Sequence, residues 1–139
     1  MRIGDFHTTN YTDTVILPSE DCRATTPRVP GGDGSVAAMQ YARLAAAPGA
    51  LTSDALLIDV LAARQGVEAE GLAALRTAFH AKGQACLRAS PLVKTWGWAL
   101  HHDATSRVTL LDPQGADCAA LLDDPGITVV RGMRNRRAS

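Results

Sequence analysis

At Gly83 the apolar residues of this 139-residue chain change their spacing, and that change constrains the fold more than any other feature. Before it, Val36, Met39, Tyr41 and Leu44, then Leu56, Leu57, Val60 and Leu61, then Leu72, Leu75 and Phe79 recur at helical intervals. After it, Trp96, Trp98 and Leu100 alternate, as residues on one face of a strand do. Helices early and strands late point to an α+β fold rather than to repeated βαβ units. The expected form is a two-layer sandwich, with a mixed or antiparallel sheet of about four or five strands and about three helices.

Local chemistry supplies the boundaries. Thr14 to Leu17 reads as a first strand stopped by Pro18. Ser35 is suited to cap a helix that ends before Pro48-Gly49, and Thr52-Ser53-Asp54 opens a second helix that Gly66 stops. In that opening Asp54 meets the positive end of the helix dipole. A third helix is expected from about Glu68 to Lys82. Beyond Gly83, Ala85 to Ala89 reads as extended, Ser90-Pro91 as an interruption, and Thr95 to His101 as a strand. A turn over Asp103–Ser106 makes that strand a hairpin with Arg107 to Leu111. A short helix over Ala116 to Leu122, a turn at Asp124-Pro125-Gly126 and a last strand over Ile127 to Met133 follow. Residues 1–139 read as a single domain, with a Pro- and Gly-rich mobile loop near 23–34 and a frayed basic tail near 134–139.

Charge narrows the partners. The formal net charge is zero, which argues against a surface built wholly to grip nucleic acid. Its distribution is uneven: residues 1–70 hold 9 acidic and 5 basic side chains, residues 71–139 hold 5 acidic and 9 basic. The C-terminal half is the one suited to meet an anion, and arginine, the commoner cation, grips carboxylate or phosphate with a planar fork. Cys22, Cys86 and Cys118 are odd in number and far apart, which fits neither a disulfide framework nor a zinc ribbon. No apolar run approaches the length of a membrane span, so a cytoplasmic protein without a membrane role is expected.

The segment Lys82 to Asp103 gathers both lysines, both tryptophans, two of the four histidines and one of the three cysteines. Lys82, Arg88 and Lys94 lie close in sequence to Trp96 and Trp98, a combination that could hold a carboxylate or phosphate while an indole stacks on a ring. Ser90 and His101 add hydrogen-bonding groups, and His7, Asn10 and Tyr11 from the polar N-terminal segment complete the proposed ligand set. The plainer account makes the tryptophans core and the cations a solvated rim. Weaker patterns compete. Gly31, Gly32 and Gly34 before Ser35 resemble an anion-holding loop but follow no strand and precede no lysine. His101-His102 with Cys86 or His80 does not assemble a metal set by spacing, and no metal or cofactor is expected. Cys86 with a histidine would be a nucleophile pair only if the fold joined them. No established catalytic signature is present, so an enzyme of unrecognised class stays open beside the binding reading. A third reading takes Arg131, Arg134, Arg136 and Arg137 as a protein or nucleic-acid interaction surface. There an exposed last strand could pair with a partner or with a second copy as a homodimer.

The segments HTTNYTDTVI, PGALTSDALLIDVLAAR, KGQACLRASPLVKTWGWALHHD and VVRGMRNRR resemble those of a family of small bacterial proteins catalogued only as a domain of unknown function. In that family a proline is expected where Ala85 stands, a tyrosine where Trp96 stands and a serine where Asn135 stands. Trp96 therefore counts against any role that needs a phenol hydroxyl. The resemblance implies no activity, substrate or catalytic residue; it does imply that one domain of this length is the complete protein.

Overall fold

The computed structural model describes residues 2–4 and 6–136. Strands β1 (Arg2–Ile3) and β2 (Phe6–His7) form a small antiparallel pair. The main sheet joins β3 (Thr14–Leu17), β4 (Ala99–His102), β5 (Val108–Leu111) and β6 (Thr128–Arg131) in the order β5-β4-β3-β6. β3 runs antiparallel to β4 and parallel to β6, and β4 runs antiparallel to β5, so the sheet is mixed and the expected hairpin is present. The helices are α1 (Val36–Ala46), α2 (Ser53–Gln65), α3 (Leu72–His80), α4 (Pro91–Lys94) and α5 (Ala116–Leu122). The architecture is α+β, as the change of period at Gly83 predicts.

Alternation along the strands sorts side chains between two faces. Ile16, Leu100 and Val108 lie in the main core with Leu44 of α1, Leu56 of α2 and Leu92 of α4. Each fully buried leucine there contributes about 2 kcal/mol of hydrophobic stabilisation. Val15, Ala99 and Leu111 point the other way and are covered by Cys118 and Leu121 of the short α5. The helix boundaries follow the capping chemistry. Ser35 Oγ accepts from Ala38 N–H at 3.0 Å, Thr52 Oγ1 accepts from Ala55 N–H at 3.1 Å, and Gly66 closes α2 with φ 68°.

The segment around the tryptophans departs from expectation. Leu87–Ala89 forms a 3-10 turn rather than an extended run, and Ser90 caps α4 by accepting from Leu92 N–H at 3.1 Å. Pro91 stands at the first helical position, where its missing N–H costs nothing. Gly97, with φ 83°, then turns the chain, and a Cβ there would lie 3.1 Å from the Thr26 carbonyl oxygen. β4 therefore begins only at Ala99, and Trp96 and Trp98 precede the sheet instead of lining one face of a strand.

Residues 23–34 carry no helix or strand, yet they are tied to that turn: Arg28 N–H donates to the Trp96 carbonyl at 2.9 Å, and Trp98 Nε1 donates to the Arg28 carbonyl at 2.8 Å. Of the tail expected to fray, 137–139 lie outside the described residues. Arg134 pairs with Glu20 at 3.0 Å, and Asn135 and Arg136 both donate backbone N–H groups to the Asp21 carboxylate. Gly132 permits this crossing, because a Cβ there would sit 2.7 Å from Val93 Cγ2 and 2.8 Å from Ser19 Oγ.

Candidate functional site

The crossing of the C-terminal segment over α4 builds a cleft of about 430 Å³ lined by Asp21, Arg23, Lys94, Thr95, Asn135 and Arg136. Its only carboxylate is committed to the fold. Asp21 accepts from Asn135 N–H, Asn135 Nδ2 and Arg136 N–H at 2.9–3.1 Å. The Asn135 backbone N–H foremost, then these other donors, hold the Asp21 carboxyl below its ordinary range. Asn135 Nδ2 also donates to the Lys94 carbonyl at 2.9 Å, which fixes the cleft wall against the end of α4. The charged ends of Arg23, Lys94 and Arg136 have no acidic partner among the described residues, where the ion pairs are Arg43 with Asp59 and Arg134 with Glu20. Three cationic side chains around one carboxylate leave a local excess of positive charge facing solvent.

A smaller cleft of about 300 Å³ lies beside the same segment, lined by Glu20, Arg88, Gly132 and Met133 with Arg131 and Arg134. Its cations are more occupied. Arg88 Nε donates to the Arg131 carbonyl at 2.7 Å, Arg131 Nη1 donates to the Pro18 carbonyl at 3.1 Å, and Arg134 pairs with Glu20.

The residues expected to form one ligand set are dispersed. Lys94 lines the larger cleft and Arg88 the smaller. Ser90 is buried, its hydroxyl donating to Gln40 Oε1 at 2.5 Å while it caps α4. Trp96 and Trp98 pack half-buried on the main core, Trp98 beside the Tyr41 ring at 5.5 Å. Lys82 is exposed just past α3. His101 points to the α5 face of β4, as its in-register partner Val15 does. Asn10 Oδ1 accepts from Asp54 N–H at 2.9 Å, and the His7 carbonyl accepts from His80 Nδ1 at 2.8 Å. Tyr11 stands 3.2 Å from Cys86 Sγ, and burial, reinforced by that contact, pushes its hydroxyl up to about 12. The phenol thus stays protonated at neutral pH.

Asp54 and His102 are buried polar groups that the expected ligand set left out. Asp54 is 8% exposed and accepts from Thr8 Oγ1, Thr9 N–H and Thr9 Oγ1 at 2.5–2.7 Å. Since Thr9 spends its proton on Asp54, Ser53 donates to Thr9 Oγ1 across 2.8 Å. This seam joins the HTTN segment to the start of α2. His102 is fully buried on the helix-covered face with its ring edge-on to Tyr11 at 5.3 Å, and neither ring nitrogen has a hydrogen-bond partner. Burial, with the neighbouring His101 charge, pushes it down to about 4. Among the described residues no group of three or more His, Cys, Asp or Glu side chains is placed to hold a metal ion. No helix among them is long and apolar enough to cross a membrane.

Compared with known proteins, residues 6–138 match the model of a family described as "Family of unknown function (DUF6157)". No curated protein and no solved structure matches the chain.

Proposed function

This chain belongs to that family of unknown function, and from its own side chains we propose that it binds a small anionic molecule, a carboxylate or phosphate, in the cleft between Arg23, Lys94 and Arg136. The observation that carries the reading is the state of Asp21. Backbone and amide N–H groups hold its carboxylate in place on the wall, where its single negative charge faces three cations and leaves the cleft net positive. Thr95 lines the same space, and its hydroxyl supplies a polar group for orientation. A charge-assisted hydrogen bond of this kind contributes roughly 1.5–3 kcal/mol to binding, about tenfold or more in affinity per cation. Every residue that lines the cleft carries a charged or polar group, which suits a small, highly charged ligand better than an apolar one.

Calorimetric titration with inorganic phosphate and with citrate, at low and at physiological salt, tests this. At least one should bind the wild-type chain, and Lys94→Ala or Arg23→Ala should weaken that binding about tenfold. Circular dichroism is expected to stay unchanged in both variants. Binding undiminished in both variants, or absent for both anions, would overturn the reading.

A further inference from the structure

The two edges of the main sheet are finished differently. Along β5, the Val108 N–H donates to the Leu51 carbonyl at 2.8 Å and the Val108 carbonyl accepts from Gly49 N–H at 3.1 Å, so the Gly49–Leu51 segment covers the Val108 end of that edge. At β6, Thr128 N–H donates to the Asp13 carbonyl and Gly132 N–H to the Leu17 carbonyl, both at 2.8 Å. Even-numbered residues of β6 therefore turn their backbone groups toward β3, and Ile127, Val129 and Arg131 turn theirs outward.

Some of those outward groups are already used. Ile127 N–H donates to the Asp124 carbonyl at 3.1 Å, and the Arg131 carbonyl accepts from Arg88 Nε at 2.7 Å. What stays open among the described residues is the Ile127 carbonyl, both backbone groups of Val129 and the Arg131 N–H.

We infer that β6 pairs antiparallel with β6 of a second copy of this chain about a two-fold axis at Val129. In that register Val129 exchanges both of its backbone hydrogen bonds with Val129 of the other copy, and each Arg131 N–H reaches the Ile127 carbonyl across the axis. Every open group is satisfied. The groups the fold already uses, Ile127 N–H and the Arg131 carbonyl, fall opposite each other, so the Arg88 side chain swings off the Arg131 carbonyl as the strands close. Antiparallel pairing also brings the acidic end of one strand, Asp123-Asp124, toward the basic end of the other, with Arg131, Arg134 and Arg88. Val129, 43% exposed and on the face that α5 covers, meets its own copy. The paired segment is short, bounded by the Asp124–Gly126 turn on one side and by Met133 N–H donating to the Arg88 carbonyl on the other. A contact of that extent gives a dimer that dissociates on dilution rather than an obligate one.

Sedimentation velocity across a range of protein concentrations reads this directly. The wild-type chain should move from monomer to dimer as concentration rises, and amide exchange at Val129 and Arg131 should slow in step. Val129→Pro removes an N–H that the monomer does not use, at an edge position where proline is tolerated, and should leave a folded monomer. If that variant unfolds, Val129→Lys keeps the N–H and sets two cations against each other across the axis; it should weaken the dimer at least tenfold. A monomer at every concentration overturns the inference. So does a dimer that persists in the folded variant, or one whose Val129 and Arg131 amides exchange as fast as in the monomer.

Discussion

The N-terminal seam at Asp54 and the basic cleft at Lys94 use charge in opposite ways. Asp54 is nearly buried and accepts three hydrogen bonds from Thr8 and Thr9, so its charge is spent on joining the start of the chain to α2. Lys94, Arg23 and Arg136 stand around a single carboxylate, Asp21, so positive charge is left over to meet something outside the fold. The same residue classes thus make structure in one place and the proposed binding surface in the other. What separates them is whether each charged atom already has its partner.

That contrast breaks most visibly at Asp54. Asp54→Ala removes the acceptor for three donors, strands the Thr9 N–H in a buried setting and takes a negative charge from the first turn of α2. A loss of about 4 kcal/mol in urea unfolding is expected, because a buried donor left unpaired costs its full desolvation. A loss below about 1 kcal/mol would show that the seam is ornamental to stability.

His102 sharpens the comparison because it is a buried polar group of the second kind, without a partner, but inside the core. Its imidazole faces Tyr11, and along the chain it adjoins His101 and Asp103. The unfolded chain takes up the proton near 6.5 and the folded one only near 4. Above 6.5 both forms are neutral and stability is complete; as the pH falls from there toward 4, the unfolded state alone gains the proton. Between those limits folding should weaken by up to about 3 kcal/mol. In His102→Leu that slope should disappear, with stability at pH 7 changed by no more than about 1 kcal/mol, since an apolar side chain leaves no unpaired ring nitrogen behind. Urea midpoints at pH 7 and pH 5 for both proteins decide it. An unaltered slope in the variant would place the titrating group elsewhere.

How much of this was legible from residue order depends on range. Ser35, Thr52 and Gly66 act within one turn of their own positions, so capping chemistry located α1 and α2. Trp96 and Trp98 misled because alternation alone cannot distinguish a strand from a helical turn followed by a bend. The cap at Ser90, Pro91 at the first helical position and the left-handed Gly97 were the deciding signals. The cleft was half legible: Lys94 stood in the basic segment, but Asn135 reaches Asp21 across 114 residues, and no spacing rule joins such positions. His102 read only as half of a histidine pair. Its burial follows from facing Thr14 and Val108 across the sheet, which depends on register.

The smallest expected change in stability is at the cleft itself, and there smallness is the point. Lys94 is the last residue of a four-residue helix, and its ammonium has no acidic partner in the cleft, where Asp21 is taken by Asn135 and Arg136. Truncating it to alanine removes no internal hydrogen bond, keeps the carbonyl that Asn135 Nδ2 uses and relieves repulsion from Arg23 and Arg136. Lys94→Ala should therefore shift unfolding by no more than about 0.5 kcal/mol. Arg88→Ala should cost more, because Arg88 Nε is the donor to the Arg131 carbonyl at the edge of β6. A net hydrogen bond of that kind contributes about 1 kcal/mol. Urea midpoints for the two variants should fall in that order. If Lys94→Ala proved the more destabilising, its charge would belong to the fold as Asp54 does, and the distinction between the two regions would fail.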